Sequence, residues 1–440
     1  MKVIPHLFKK LMLITIFFLM ITPTIAAKPF ETKHWQTSQG AQVIFYQAME
    51  VPMLDISIAF AAGSAYDGEL FGLSALTGRL LNQGNQGLTA TTISESLAAT
   101  GAQYEEEANQ DMIVLNLRTL TSPSALKKAS DIYAQIIAHP DFPEKVFQRE
   151  KNQQLMAIAQ KQEIPAEIAN QAFFQALYKD HPYAHPIQGN KTTVAALTLS
   201  QVSHFYQQYL VSNNAVIVLV GAIDESVARQ LAEKLMKDLS TGQKAASISK
   251  APQLTQSMDV EVPFPSAQTV LRLGQMGIAH NEPLYFPLMV GNYILGGGSL
   301  VSQLARELRE KRGLTYGVSS QLLPMPSNGP FIIGWSTQNN QTKMSLTLTK
   351  ETLTAFVNKG PDEKELLAAK QYLTGSFPLS LASNRSIANM LLKIAFYRLP
   401  ENFLATYIDN VNAVTNQDIK LAFQQNIHPN ALLQVIVGKV

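Results

Sequence analysis

Hydrolytic metal chemistry on a helix needs two histidines one turn apart and a carboxylate beside them to move a proton. The sequence holds eight histidines, His6, His34, His139, His181, His185, His204, His280 and His428, and none has a glutamate three residues later. His181 and His185 are four apart, but Pro182 and Pro186 argue against a helical face, so "HPYAHPIQG" is read as a structural turn. One stretch has the form of a site-bearing helix without its working side chains. In "GLSALTGRLLNQG", residues 72–84, Leu73, Leu76, Leu80 and Leu81 form an apolar stripe, which leaves Ser74, Ala75, Gly78 and Arg79 to face a cleft. Ala75 and Gly78 offer neither a metal ligand nor a base, and Arg79 stays charged. Ser74 lacks the second glycine of a nucleophile elbow. "GGGS", residues 296–299, lacks the lysine and spacing of a phosphate loop. "EEE", Glu105 to Glu107, reads as a solvated strand edge.

The elements that must position such residues occur twice. "TLSQVSHFYQQYLVSNNAVIVLVG" ends at Gly221 and "TNQDIKLAFQQNIHPNALLQVIVG" at Gly438, an offset of 217 residues. "PEKVFQREK" resembles "PDEKELLAAK" further upstream, and "FGLSALTGRLLNQG" sits opposite "YFPLMVGNYILGGG". "MLDISIAFAAGS", "DMIVLNLRTL", "TVLRLGQMGIA" and "KMSLTLTK" alternate at period two and predict strands; residues 124–138, 144–161, 167–178 and 362–375 predict amphipathic helices. "GGGSLVSQLARELREKRGLTYGVSS" predicts a helix from about Ser299 with Leu300, Leu304 and Leu308 on one face, a cap at Gly313 and a strand from near Thr315. The expected fold is α+β: two homologous domains, each a mixed or antiparallel sheet covered by helices. The first is expected over residues 28–240 and the second over 256–440, joined by a small, polar linker at 241–255.

This order of parts resembles the pitrilysin-like zinc peptidases, the inverzincins, in the short two-domain form of mitochondrial processing peptidase and its bacterial relatives. In active members the helix after the first strand carries H-x-x-E-H, and a later helix brings a further Glu ligand. Laid on this sequence, Ala75 stands for the first His, Gly78 for the catalytic Glu and Arg79 for the second His. Glu150 falls at the upstream Glu of the later helix, and Ala157 falls where the distal ligand would be. The resemblance therefore implies no metal and no catalytic residue in this chain. It also implies that Arg309 and Tyr316, seven residues apart, bind substrate by holding a peptide across the chamber. A guanidinium fork suits peptide carbonyls and carboxylates, and a phenol adds one directed hydrogen bond.

Bulk properties bound the remaining classes. Composition is ordinary for a globular chain, 46% hydrophobic and 15% charged. Setting aside Lys2, Lys9 and Lys10 of the first 27 residues takes the basic count from 35 to 32, against 33 acidic residues, so nothing favours nucleic acid. Residues 1–27 have the form of a signal peptide: Lys9-Lys10, the apolar "LMLITIFFLMI", then "TPTIAA", with cleavage expected after Ala26 or Ala27. A periplasmic address without stable membrane insertion follows. The absence of cysteine excludes disulfides and thiolate metal sites.

The expected role is the non-catalytic, substrate-positioning subunit of a secreted heterodimeric zinc peptidase. Its partner would be a homologous subunit that carries H-x-x-E-H and the zinc, and its substrate a peptide or unfolded segment. Two alternatives stand beside it: an inert scaffold or binding protein on the same fold, and a hydrolase with an unrecognised site.

Overall fold

"AVIVLVG", residues 215–221, is too apolar for a strand with one wet face, and the structure shows why. In the computed structural model, which describes residues 30–439, all seven of its residues are buried, as are all six of Leu433–Gly438. Both strands lie inside sheets covered on both faces. The signal segment predicted for residues 1–27 lies outside the described residues.

The first sheet runs, from edge to edge, Lys33–Gln36, Gln42–Gln47, Ala215–Gly221, Met53–Phe60, Ile113–Leu120, Gln103–Ala108. The second runs Met258–Pro263, Leu433–Gly438, Gln268–Met276, Pro330–Gln338, Val318–Leu322. Apart from the extra edge strand Lys33–Gln36, the order is the same. In each sheet the first repeated strand pairs parallel with the last strand of its half, and every other neighbour is antiparallel. The fold is α+β, with two mixed sheets covered by helices.

One face of each sheet is covered by helices of its own half. Leu54, Ile56, Ile58 and Phe60 share a core with Leu73, Leu76 and Leu80, and Leu271, Leu273 and Ile333 share one with Leu288, Leu353 and Phe356. The opposite faces are covered reciprocally. Helix Pro165–Tyr178, from the first half, packs on Leu433–Gly438 and Gln268–Met276 of the second sheet. Helix Asn384–Phe396, from the second half, packs on Ala215–Gly221 and Met53–Phe60 of the first. The two share "Ile-Ala-Asn", at residues 168–170 and 387–389. Both alanines, Ala169 and Ala388, are fully buried, and their small side chains let each helix approach the strands closely. Ala169, Phe173 and Leu177 form one apolar cluster with Val270, Ile332 and Val435.

Residues 241–255 form neither helix nor strand, but the segment is tied down. The Ser249 carbonyl accepts from His181 Nε2 at 2.9 Å, and the Ala251 N–H donates to Ser327 Oγ at 2.7 Å.

Three expectations are corrected. "KMSLTLTK" belongs to helix Thr342–Lys359. Its Thr–Leu alternation mimics a strand, but the Thr349, Thr352 and Thr354 hydroxyls bond carbonyls four residues back, each at 2.8 Å, and Leu353 and Phe356 continue the stripe at helical spacing. The helix expected from Ser299 begins instead with a short 3-10 turn, Ser299–Val301, which leaves Leu300 52% exposed; only Leu304 and Leu308 are buried, in and beside a π-type turn. Gly313 does cap it, at φ 61°, with its N–H donating to the Arg309 carbonyl at 3.0 Å. The following strand starts at Val318 rather than near Thr315.

Reciprocal packing makes the halves one cooperative unit. Phe173→Ala, at a fully buried site of the exchanged helix, is expected to cost about 3–5 kcal/mol. The chain has two tryptophans, Trp35 in the first sheet and Trp335 in the second, so Trp35→Phe and Trp335→Phe backgrounds each leave one reporter. Urea titrations followed by fluorescence should show both reporters losing structure at one shared midpoint, lowered alike by Phe173→Ala. Separate midpoints for the two reporters would refute the coupling.

Candidate functional site

Helix Leu73–Leu80 is held at its start by a residue well ahead of it. Asp67, buried, accepts from the N–H groups of Gly72 and Ser74 at 2.7 Å each, so its carboxylate sits on the positive end of the helix. Burial pushes the Asp67 carboxyl up to about 8, against the hydrogen bonds from Ser74, Gly72 and Leu73 that favour its charged form. Gly72 precedes the helix at φ 95°, and a Cβ there would meet the Gln188 carbonyl oxygen at 2.6 Å. The buried Gln154 Nε2 donates to the Gly72 and Gln188 carbonyls at 3.0 and 2.9 Å, fastening helix Glu144–Lys161 to this turn. Ser74 is no nucleophile: it is fully buried and its hydroxyl donates to the Ala62 carbonyl at 2.5 Å.

At the positions where active relatives are expected to hold their metal, the structure places an ion-pair cluster. The Arg79 guanidinium meets Glu150 Oε2 at 2.6 Å through Nη2 and 3.2 Å through Nε, and its Nη2 also donates to Gln153 Oε1 at 2.8 Å. Arg149 Nε meets the other oxygen, Glu150 Oε1, at 3.1 Å, and Arg149 Nη2 donates to Gln83 Oε1 at 2.5 Å. Glu150 is almost fully buried between the two cations, so its charge is balanced where it lies. These residues do not fit a zinc ion. Ala75 and Ala157 present methyl groups, Gly78 presents nothing, and a guanidinium has no lone pair to offer, whereas a catalytic zinc takes about three protein ligands. Among the described residues no three His, Asp or Glu side chains are grouped to hold a metal.

The other histidine and acidic motifs have structural partners. His181 Nδ1 accepts from the Tyr183 N–H at 3.2 Å, and His185 stacks on Phe71 with ring centres 4.2 Å apart. Glu105 pairs with Arg385 at 2.7 Å. Glu106, on the inward side of the same strand, has its carboxyl pushed up to about 7, chiefly by burial, with Arg79 pulling it down and Glu150 and Glu105 raising it further.

The structure separates Arg309 and Tyr316 in character. Arg309 lies in the π-type turn Ala305–Glu310, half-buried, and its guanidinium has no hydrogen-bond or ion-pair partner among the described residues. Tyr316 stands in the loop before strand Val318–Leu322, 89% exposed, at a cavity of about 430 Å³. Arg309 is not among that cavity's lining residues; Arg272, Asn170 and Ser319 are. Sequence reasoning missed Asp67, the Arg79–Glu150 pair and Arg272.

Two sheets of the same strand order thus accompany a motif helix whose positions 75, 78 and 79 carry Ala, Gly and Arg, none of them a metal ligand. Residues 43–191 match the insulinase (peptidase family M16) profile, and residues 196–373 match the peptidase M16 inactive domain. The peptidase M16 inactive domain from Pseudomonas fluorescens has a crystal structure that is 34% identical and superposes with a TM-score of 0.90, over 93% of this chain and 98% of that one. The uncharacterized zinc protease YmxG of Bacillus subtilis is 26% identical over 359 residues, 80% of this chain and 85% of its own. The non-peptidase homolog YmxG of Helicobacter pylori is 23% identical over 421 residues, 92% of this chain and 94% of its own. The chain belongs to the M16 peptidase family, whose active members use zinc.

Two outcomes are expected. After chelator washing, the isolated chain should hold no stoichiometric zinc by elemental analysis and leave a peptide library uncut; one tightly held zinc per chain would contradict the site's chemistry. Glu106 gives a pH signature. Its folded-state value of about 7 lies above the ordinary 4.5, so between these values the folded state binds the extra proton and stability falls as pH rises. Urea midpoints from pH 5 to 8 should show a downward slope that flattens in Glu106→Gln. Equal slopes in both proteins would count against it.

Proposed function

We propose that this chain is the non-catalytic, substrate-positioning subunit of a secreted heterodimeric zinc peptidase. A homologous partner carrying H-x-x-E-H would bring the zinc, and the pair would act on peptides or unfolded segments in the periplasm. One contrast supports the reading most. The ligand and base positions are Ala75, Gly78, Ala157 and an Arg79 paired with Glu150, while Tyr316 stays exposed and Arg309 has no partner among the described residues. Neither side chain is committed to a structural bond, so both are available to a ligand. The division of labour is physically coherent: chemistry needs a metal on one wall of a chamber, and near-attack geometry needs groups on the other.

A second reading, an inert binding scaffold, draws on the Helicobacter pylori relative named a non-peptidase homolog. Reconstitution separates the two. The chain is mixed with a zinc-bearing M16 relative from the same cell, and peptidase activity is measured with each alone and with both. Activity that rises only on mixing supports the subunit role. A relative fully active alone, unchanged in rate and substrate range by this chain, favours the scaffold.

In the reconstituted complex, Arg309→Ala is expected to remove a charge-assisted hydrogen bond of about 1.5–3 kcal/mol. That lowers kcat/KM roughly ten- to a hundredfold. Tyr316→Phe removes about 1 kcal/mol, a loss of about fivefold. Thermal melts and pull-downs should be unchanged. Wild-type kcat/KM in both variants would leave the pair without a role in substrate binding.

A further inference from the structure

The duplication supplies an internal control for one row of side chains. In the first sheet, Ser57, Asn116 and Glu105 stand side by side across three strands. In the second sheet the corresponding row is Arg272, Gly334 and Ser319. That row is compensated internally: the Ser57 hydroxyl donates to Asn116 Oδ1 at 2.6 Å, and Glu105 pairs with Arg385 of the exchanged helix at 2.7 Å. Arg272 receives no charged partner among the described residues. Its Nε donates to Asn170 Oδ1 at 2.7 Å, its Nη1 to the preceding Leu271 carbonyl at 2.9 Å, and its Nη2 to the Ala166 carbonyl at 3.5 Å.

These acceptors are all neutral. Glu167, the acidic side chain that acts on Arg272 electrostatically, lies beyond ion-pair distance and faces Lys161 Nζ at 3.6 Å. The half-buried guanidinium thus keeps its charge, and two of its five N–H groups, free for a ligand. Where Asn116 and Glu105 fill the first sheet, Gly334 and Ser319 leave room. The result is the cavity of about 430 Å³, lined by Arg272, Asn170, Ser319, Gln321 and Ser336 and bordered by Tyr316.

We infer that this cavity binds the carboxylate of a peptide, with Arg272 as its counter-charge. The ligand class rests on the peptide-positioning role proposed above. The site favours substrates with either a free C-terminus or an acidic side chain at this position. A planar carboxylate matches the guanidinium fork, and the surrounding Ser, Gln and Asn side chains satisfy its remaining lone pairs.

The test needs no partner subunit, so it stands apart from the reconstitution. Fluorescein-labelled peptides of one sequence carry, in separate arms, a free or amidated C-terminus and an internal Glu or Gln, and fluorescence polarisation gives each Kd. A carboxylate arm should bind the wild-type chain about ten- to a hundredfold more tightly than its neutral counterpart. The arm that shows the gap identifies the source as chain end or side chain. Arg272→Met should abolish the gap in a chain that stays folded, with a Tm lowered no further than the loss of three hydrogen bonds to neutral acceptors allows. Ser319→Glu, which supplies a carboxylate from within, should also abolish it and leave the chain folded. Equal Kd values for charged and neutral arms in the wild type would overturn the proposal. So would an Arg272→Met protein that loses stability yet keeps the gap, because Arg272 would then only tie the halves together.

Discussion

Neither sheet can be buried by its own half of the chain. Each half covers one face with its own helices and leaves the other face, lined by residues such as Val216, Val218 and Val435, to a helix from the opposite half. Apolar strand surface of this kind is worth roughly 25 cal/mol per Å² only once it is covered. The two exchanged helices therefore decide whether either half can be stable. A buried polar junction follows the same logic. The Asp111 carboxylate accepts from Tyr183 of the first half at 2.6 Å and from Tyr397 of the second at 3.0 Å. Burial raises its pKa while both phenols hold it down. A carboxylate so placed is satisfied only when the halves are together, which makes the junction specific as well as stable.

The same economy explains how the motif helix kept its position without a metal. A zinc ion held by two helices is a cross-link as well as a catalyst. Here Arg79 on one helix and Glu150 on the other make that cross-link through a guanidinium–carboxylate pair, and Gln154 reinforces it one turn further along. Glu150 is also held by Arg149, so the cross-link is shared between two guanidinium groups and one buried carboxylate. Gly78, in contrast, is not demanded by packing. A Cβ there would meet Ile113 at an ordinary 3.6 Å, and glycine costs the helix about 1 kcal/mol relative to alanine. Packing thus does not require a glycine at position 78.

Much of the scaffold was legible because it is periodic. Helix Glu144–Lys161 has the bounds its amphipathic pattern predicts, the strands Met53–Phe60 and Ile113–Leu120 lie within their alternating segments, and Gln268–Met276 begins one residue ahead of its own. Thr342–Lys359 was misread because alternation of Thr and Leu looks the same whether hydroxyls bond back along a helix or face a sheet. The site was legible only as absences. Arg79 and Glu150 each fall on a motif position, but they are 71 residues apart, and charge alone does not tell which acid an arginine meets. Asp67 lies outside the usual capping position, and only the turn at Gly72 brings it to the helix. The helix exchange left one readable trace, the repeated Ile-Ala-Asn, whose meaning depends on the sheet each copy covers.

Once two halves share a strand order, their rows of side chains become free to diverge. A residue on the face toward an exchanged helix must be compensated, but the fold does not specify by what. In the first sheet the compensation is internal: an aspartate held between Arg118 and Arg385, with Glu105 taking the remaining reach of Arg385. In the second, Arg272 stands where the first sheet has Ser57, its neighbours are Gly334 and Ser319 in place of Asn116 and Glu105, and its acceptors are neutral. The open space and a guanidinium with only neutral acceptors lie in the same row. The half with the emptied metal positions has closed its charges on one another, and the half that never bears the metal motif keeps its polar surface open.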